Sequence, residues 1–455
     1  MSERFLLKER TKLLRAAIII IATASVASFN IAQAFLKESA QAQPGNEPQP
    51  VYSSDPKDAW NRIFYHLFTR TVAHRLTDQS PRAAPFARAE VMGYPGGLPL
   101  STRLFERVEI GDRAIEPFYP SFITIIGLQE ALKEPRLSQL KQALADALEE
   151  DRMRPALHRA LMQADVWAAH DLLAHTVQSA RRRGDELVER ASQLMPLLDR
   201  FIKKLALSPD EIKSLPDNYA LAVTENRLPD LFSPDSEWME IEWLPFRMHD
   251  HAVDFRRVAR VFVKPNVPLG DKQSFLDRLL KSHGDVKELG AVALVIQNLL
   301  IDSEGTAVPT QLTYEMQTRT FSRDEQGKIS GTKMNQYELS RRLLLAKPRS
   351  GGLISFAETA PMYLPMAGND YSFATPQRDM RGETSPVLST LRERCSFCHG
   401  RPNATTIFTF NMHPPEPAPR VTLLSQPNDR HARYVASRKL EQDDFKILRA
   451  QWERR

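Results

Sequence analysis

The chain has 455 residues, 42% hydrophobic and 26% charged, with a net charge of +5. That is ample apolar material for real cores, and the length suits two or three domains. The positive charge does not signal nucleic-acid binding: residues 1–34 carry five basic and two acidic groups, which leaves the rest of the chain only weakly basic.

The first 34 residues read as a secretory signal. Arg4, Lys8, Arg10, Lys12 and Arg15 precede the small apolar run from Ala16 to Ala27, and Ala32-Gln33-Ala34 fits a small-x-small cleavage site. An uncleaved membrane anchor is the alternative, although Asn30 and Gln33 suit hydrocarbon poorly. Either way the bulk of the chain is expected in the periplasm, and a membrane contact arises only if the segment is uncleaved. Residues 35–55 are rich in Gln, Pro and Glu and read as a linker.

Asp55-Pro56-Lys57-Asp58 is a helix start, and Trp60, Phe64, Leu67, Phe68 and Val72 predict one amphipathic helix over 56–77. Leu137, Leu140, Leu144 and Leu148 mark a second stripe, and Leu157, Leu161, Val166, Leu172, Leu173 and Val177 a third. Pro135, Pro155 and Pro196 are expected to start or break helices. Ser208-Pro209-Asp210-Glu211 is a capping-box start. Residues 56–216 thus read as a helical domain.

The period changes after about residue 235. Met239 to Leu244, Val258 to Val263, Val292 to Ile301 and Gly352 to Phe356 read as strands, as do the alternating stretches around Leu312–Met316 and Tyr337–Leu343. Asp271 to His283 reads as a short helix. Short polar turns between long strands predict an antiparallel meander with one wet face over 235–358. Residues 359–386 read as a turn-rich loop, Val387 to Arg394 as a helix, and Asp429 to Trp452 as one charged helix. The expected fold class is α+β: an N-terminal all-helical module, a central antiparallel β-rich module and a small helical C-terminal segment over 381–455.

Cys395-Ser396-Phe397-Cys398-His399 contains both cysteines of the chain and has the C-x-x-C-H pattern of covalent haem attachment. Two thiols at this spacing reach the two vinyl groups of one porphyrin, and the adjacent imidazole supplies the proximal iron ligand. Cys395 and Cys398 would form the thioethers, and His399 would ligate iron. Two other readings stand beside haem. One is a redox disulfide, for which no thioredoxin-like βαβ pattern is present. The other is a zinc site with His413 and His431, whose spacing fits no common finger.

With Gly400 following the histidine, residues 381–455 resemble the c-type cytochromes at the level of the motif. The resemblance implies one covalent haem c and a distal methionine several tens of residues beyond the histidine, ahead of a closing helix. Here Met412 and His413 follow His399 by 13 and 14 residues, so the distal ligand stays open between Met412, His413, the upstream Met362, Met366 or Met380, and none. Phe397, Ile407, Phe408 and Phe410, with Leu388 and Leu391, are candidates to wall the ring; Arg392, Arg394 and Arg401 are candidates to pair with its propionates. Residues 381–455 hold 13 Lys and Arg against eight Asp and Glu, which suits an acidic face on a redox partner.

His170 with His175, and His249-Asp250-His251, are weaker metal candidates because neither set offers a third ligand. The expected function is single-electron transfer by an exported monohaem protein rather than catalysis. The alternatives are a peroxidase-like haem enzyme with an open iron, and a binding or sensing protein with an appended haem.

Overall fold

The computed structural model describes residues 51–53, 55, 57–73, 108–110, 113–117, 131–180, 186–226, 228–244, 256–281, 287–356, 361–364, 387–390 and 420–453. The chain divides into Met1–Glu47 and Pro48–Arg455, and all described residues fall in the second unit.

That unit is α+β. The helices are α1 (Ala59–Phe68), α2 (Arg136–Glu149), α3 (Ala156–Ala180), α4 (Glu186–Leu205), α5 (Pro209–Lys213), α6 (Asn218–Asn226), α7 (Lys272–Lys281), α8 (Arg341–Ala346), α9 (Arg430–Leu440) and α10 (Asp443–Glu453). The principal sheet has seven antiparallel strands. In chain order they are β4 (Met239–Leu244), β5 (Arg257–Pro265), β6 (Leu289–Ile301), β7 (Ala307–Arg323), β8 (Ile329–Leu339), β9 (Leu353–Phe356) and β12 (Arg420–Leu424). In space β4 to β9 form a meander, and β12 returns to pair outside β4.

Alternation along the strands sends neighbouring residues to opposite faces. Phe262, Ala293, Val295 and Met316 belong to the main core, which also takes Trp60, Leu140, Trp167, Phe201, Val435 and Phe445 from the helices. Val263, Val292 and Phe321 belong to a second core, closed by Phe275, Leu276 and Leu279 of α7. A meander with one wet face was the expectation; instead Glu315, Gln336 and Glu338 are buried, Gln317 donating to Glu315 and Gln336 to Glu338.

Other differences are local. Helix α1 ends at Phe68, where Thr69, Thr71 and Val72 begin a β-branched stretch. Thr69–Ala73 (β1) joins Val108–Ile110 (β2) and Arg113–Pro117 (β3) in a small antiparallel sheet within the stretch read as wholly helical. Pro135 and Pro155 do precede helices, but α4 continues through Pro196, held by buried Leu194, Leu198 and Phe201 on its core face. Val387–Thr390 is strand β11, not helix, and pairs with Pro361–Leu364 (β10), part of the stretch expected to be loop. The charged terminal helix is two helices, interrupted at Glu441 and Gln442.

The capping box forms as expected: Ser208 N donates to Glu211 Oε2 at 2.9 Å, and Ser208 Oγ accepts from Glu211 N at 3.2 Å. Two buried carboxamides then join helices to sheet. Gln163 of α3 donates to Ile301 O at 2.9 Å and accepts from Ile301 N at 2.8 Å, so it stands in for a neighbouring strand. Asn218 serves the irregularity in the β6–β7 ladder near Gln297. Its Oδ1 accepts from Thr313 N at 2.7 Å, while its Nδ2 donates to Thr313 O at 3.0 Å and Gly351 O at 2.9 Å.

Gly351 has φ +67°, and a Cβ there would strike the Asn218 carbonyl and Ala222. Gly351→Ala should therefore cost at least about 2 kcal/mol by chemical denaturation, through clash and left-handed strain together. Gly270, with open space around its Cα, is the control: its alanine variant should stay within about 0.5 kcal/mol of the parent.

Candidate functional site

Cys395, Cys398 and His399, together with Met412 and His413, lie outside the described residues. So do Met366, Met380, the arginines and aromatics read around the motif, and His249-Asp250-His251. Met362 lies in β10 opposite Ser389, and Leu388 lies in β11 opposite Tyr363. His431 is buried in the first turn of α9. The described structure thus defines the borders of the motif segment: β11 ends at Thr390, and β12 begins at Arg420.

The outgoing border is fixed by charge as well as by strand pairing. Glu240 and Glu242 of β4 are both buried. Arg260 donates to both oxygens of Glu240, at 2.8 and 2.7 Å, and to Asn428 O at 3.0 Å. Its guanidinium stacks 4.8 Å from the Phe232 ring centre. Arg430, opening α9, donates through Nε to Glu242 at 3.0 Å. A forked guanidinium matches a carboxylate in two places, which sets orientation as well as charge.

The terminal helices are tied inward by a network that no pattern in the sequence announces. Lys439 of α9 is fully buried; its Nζ donates to Asp171 of α3 at 2.6 Å and to Asp444 of α10 at 2.9 Å. It lies 5.5 Å from the Trp167 ring centre. Arg256, at the entry to β5, places Nε 3.0 Å from the same Asp171 oxygen. His170 has Nδ1 3.3 Å from Asp171 and Nε2 2.9 Å from Asp199 of α4; the Asp199 contact is an ion pair rather than an aligned hydrogen bond.

Burial opposes the charges of His170, Lys439, Asp171 and Asp444. It lowers His170, but Asp171 and Asp199 outweigh it and raise the imidazole to about 9. It lowers Lys439, but Asp171 and Asp444 hold the ammonium above its ordinary value. It raises Asp171, but Lys439, His170 and Arg256 bring that carboxyl below its usual range. Asp444 goes the other way, raised by burial and by neighbouring Asp171. With His170 protonated, three cations face three carboxylates. His170, weighed in the sequence as a metal ligand, is instead the third cation of this network. The side chain of His175 lies outside the described residues.

A parallel triad anchors the start of the unit. Tyr52 Oη donates to Asp165 Oδ2 at 2.7 Å, and Arg341 of α8 grips both oxygens of the same carboxylate, through Nε at 2.6 Å and through a second nitrogen. Among the described residues no group of three or more His, Cys, Asp or Glu is placed to hold a metal, and no helix is long and apolar enough to cross a membrane.

Lys439→Met should cost about 3–5 kcal/mol by urea denaturation, because it leaves Asp171 and Asp444 buried without their shared cation. His170 gives a signed pH dependence. Its folded value lies above the ordinary one near 6.5, so its contribution is complete below about 6.5 and is lost as pH rises through about 9. The urea midpoint of the parent should fall between pH 6.5 and 9.5, and His170→Gln should remove that part of the slope. No family model, curated protein or solved structure matches this chain.

Proposed function

We propose that the protein is an exported monohaem c-type cytochrome-like protein that passes single electrons to a partner with an acidic docking face. The observation that carries this reading is the C-x-x-C-H-G sequence at 395–400, supplied by the chain's only two cysteines. The signal-like N-terminus supports it independently, because this attachment takes place outside the cytoplasm.

In this reading Cys395 and Cys398 hold the porphyrin covalently, His399 binds iron, and Met412 or His413 is the distal ligand. When bound, the haem supplies a one-electron couple whose potential follows axial ligation, burial and nearby charge. The chain's own part is to fix the iron ligand, shield the ring with apolar side chains, and present the basic residues of 381–455 to the partner. The mixed helices and strands of residues 56–358 would form the body that carries this segment. A second reading, binding or sensing with the haem as an accessory, has one observation in its favour: more than 300 residues precede the motif.

The full chain, made in a host that matures c-type cytochromes, should fractionate with the periplasm and give a pyridine haemochrome of one haem per chain. The haem should stay with the polypeptide on a denaturing gel. Cys398→Ser should weaken that retention, and either Met412→Ala or His413→Ala should change the axial-ligand spectrum. A colourless exported protein, or pigment released into acidified solvent, overturns the proposal.

A further inference from the structure

Tyr52 and Trp60 pack edge to face in the main core, with ring centres 5.8 Å apart. They are 3% and 4% exposed, and Phe64 meets Tyr52 edge-on at 6.0 Å. Asn61 fixes the backbone beside them: its Oδ1 accepts from Val51 N at 2.9 Å and from Tyr52 N at 2.7 Å. The phenol is thus held in one place and out of water.

The two rings differ in what their protons can reach. Loss of an electron makes a phenol strongly acidic, so a tyrosine is oxidised readily only where a base within hydrogen-bond reach takes its proton. Tyr52 Oη donates to Asp165 Oδ2 at 2.7 Å. Burial raises Asp165 above its ordinary value, although Arg341 and Tyr52 pull it back, so the carboxylate is a competent base. Burial and the Asp165 charge keep the phenol itself protonated. Tyr219 is as deeply buried but donates to the carbonyl of Pro229, which cannot keep a proton. Trp60 Nε1 is buried with no acceptor among the described residues. Arg154 stands 4.2 Å from the Trp60 ring centre, and its charge opposes a positive hole on the indole. A hole that reaches Trp60 therefore runs on to Tyr52.

We propose that Tyr52 is a redox-active tyrosine, reached through Trp60 and served by Asp165 as its proton acceptor. The co-reactant is a one-electron, outer-sphere oxidant at the protein surface. Tyr52 gives one electron through Trp60 to that oxidant, which is reduced by one electron. The O–H bond of Tyr52 breaks, and its proton forms a new O–H bond on Asp165 Oδ2. The positive charge left behind is that of Arg341, which already grips Asp165 through Nε at 2.6 Å, so no new ion appears in the core. Re-reduction returns electron and proton by the same path. The pair is a sink for oxidising equivalents; it uses none of the haem residues and does not rest on the haem reading.

The test uses the full exported chain, flash-oxidised with a ruthenium polypyridyl complex and read by electron paramagnetic resonance and transient absorption. A neutral tyrosyl radical should form more slowly in heavy water than in light water and outlive the radicals of other tyrosines at least tenfold. Tyr52→Phe should abolish that long-lived signal and leave a short-lived tryptophan radical cation. Trp60→Phe should keep the signal and slow its formation. A parent with no long-lived tyrosyl radical overturns the proposal, as does a signal that survives Tyr52→Phe or forms at the parental rate in Trp60→Phe. If Tyr52→Phe does not fold, the parent decides: its radical must accept a hydrogen bond whose proton coupling vanishes in heavy water, and a radical without one overturns the proposal.

Discussion

Asp171 is the residue on which the C-terminal half of the structure turns. It accepts from Lys439 and lies within ion-pair distance of Arg256 and His170, so one carboxylate is common to α3, α9 and the entry to β5. Asp199 and Asp444 extend the set to α4 and α10. A lone buried charge among these would be driven toward neutrality by desolvation. The set survives because its signs balance and each charge touches its opposite. Burial makes such a network a poor source of net stability but a stringent selector of arrangement: any other docking of α9 and α10 strands charges in an apolar core.

The apolar layer alone would not select so sharply. Ala432, Val435, Ala436, Phe445 and Leu448 supply ordinary greasy surface, which tolerates small slips. Directional groups remove that freedom. Arg430 fixes the start of α9 on Glu242, Lys439 fixes its end, and Phe445 packs 5.8 Å from Trp167 between ring centres. Gln163 and Asn218 do the same for the helical layer, each answering strand backbone groups that the neighbouring ladder leaves unpaired.

What was legible in the sequence follows from the range of the cause. The Ser208 capping box and the strand at Met239–Leu244 depend on neighbours within a few residues, and they read correctly. The continuation of α1 past Phe68 misread because Val72 fits a helical stripe, whereas Thr69 and Thr71 pair with β3. Val387–Thr390 misread because its partner is Met362 and its neighbours, a separation that no local pattern carries. The alternation of Glu315, Gln317, Gln336 and Glu338 announced strands correctly but solvent wrongly, since polarity alone does not separate water from a paired amide. The C-x-x-C-H pattern stands out because it is compressed into five residues. The ionic network does not, because Asp171 and Lys439 are 268 positions apart and each resembles an ordinary surface charge.

This arrangement also sets the borders of the segment that holds Cys395 and Cys398. Residues beyond 420 are not a free tail: β12 completes the sheet, and α9 and α10 fill its core. The motif lies between β11, which pairs with β10, and β12, which pairs with β4 in the principal sheet. The outgoing side of the segment is secured by directional charge as well as by pairing, through Arg260 on Asn428 O, Arg430 on Glu242 and Lys439 on Asp171.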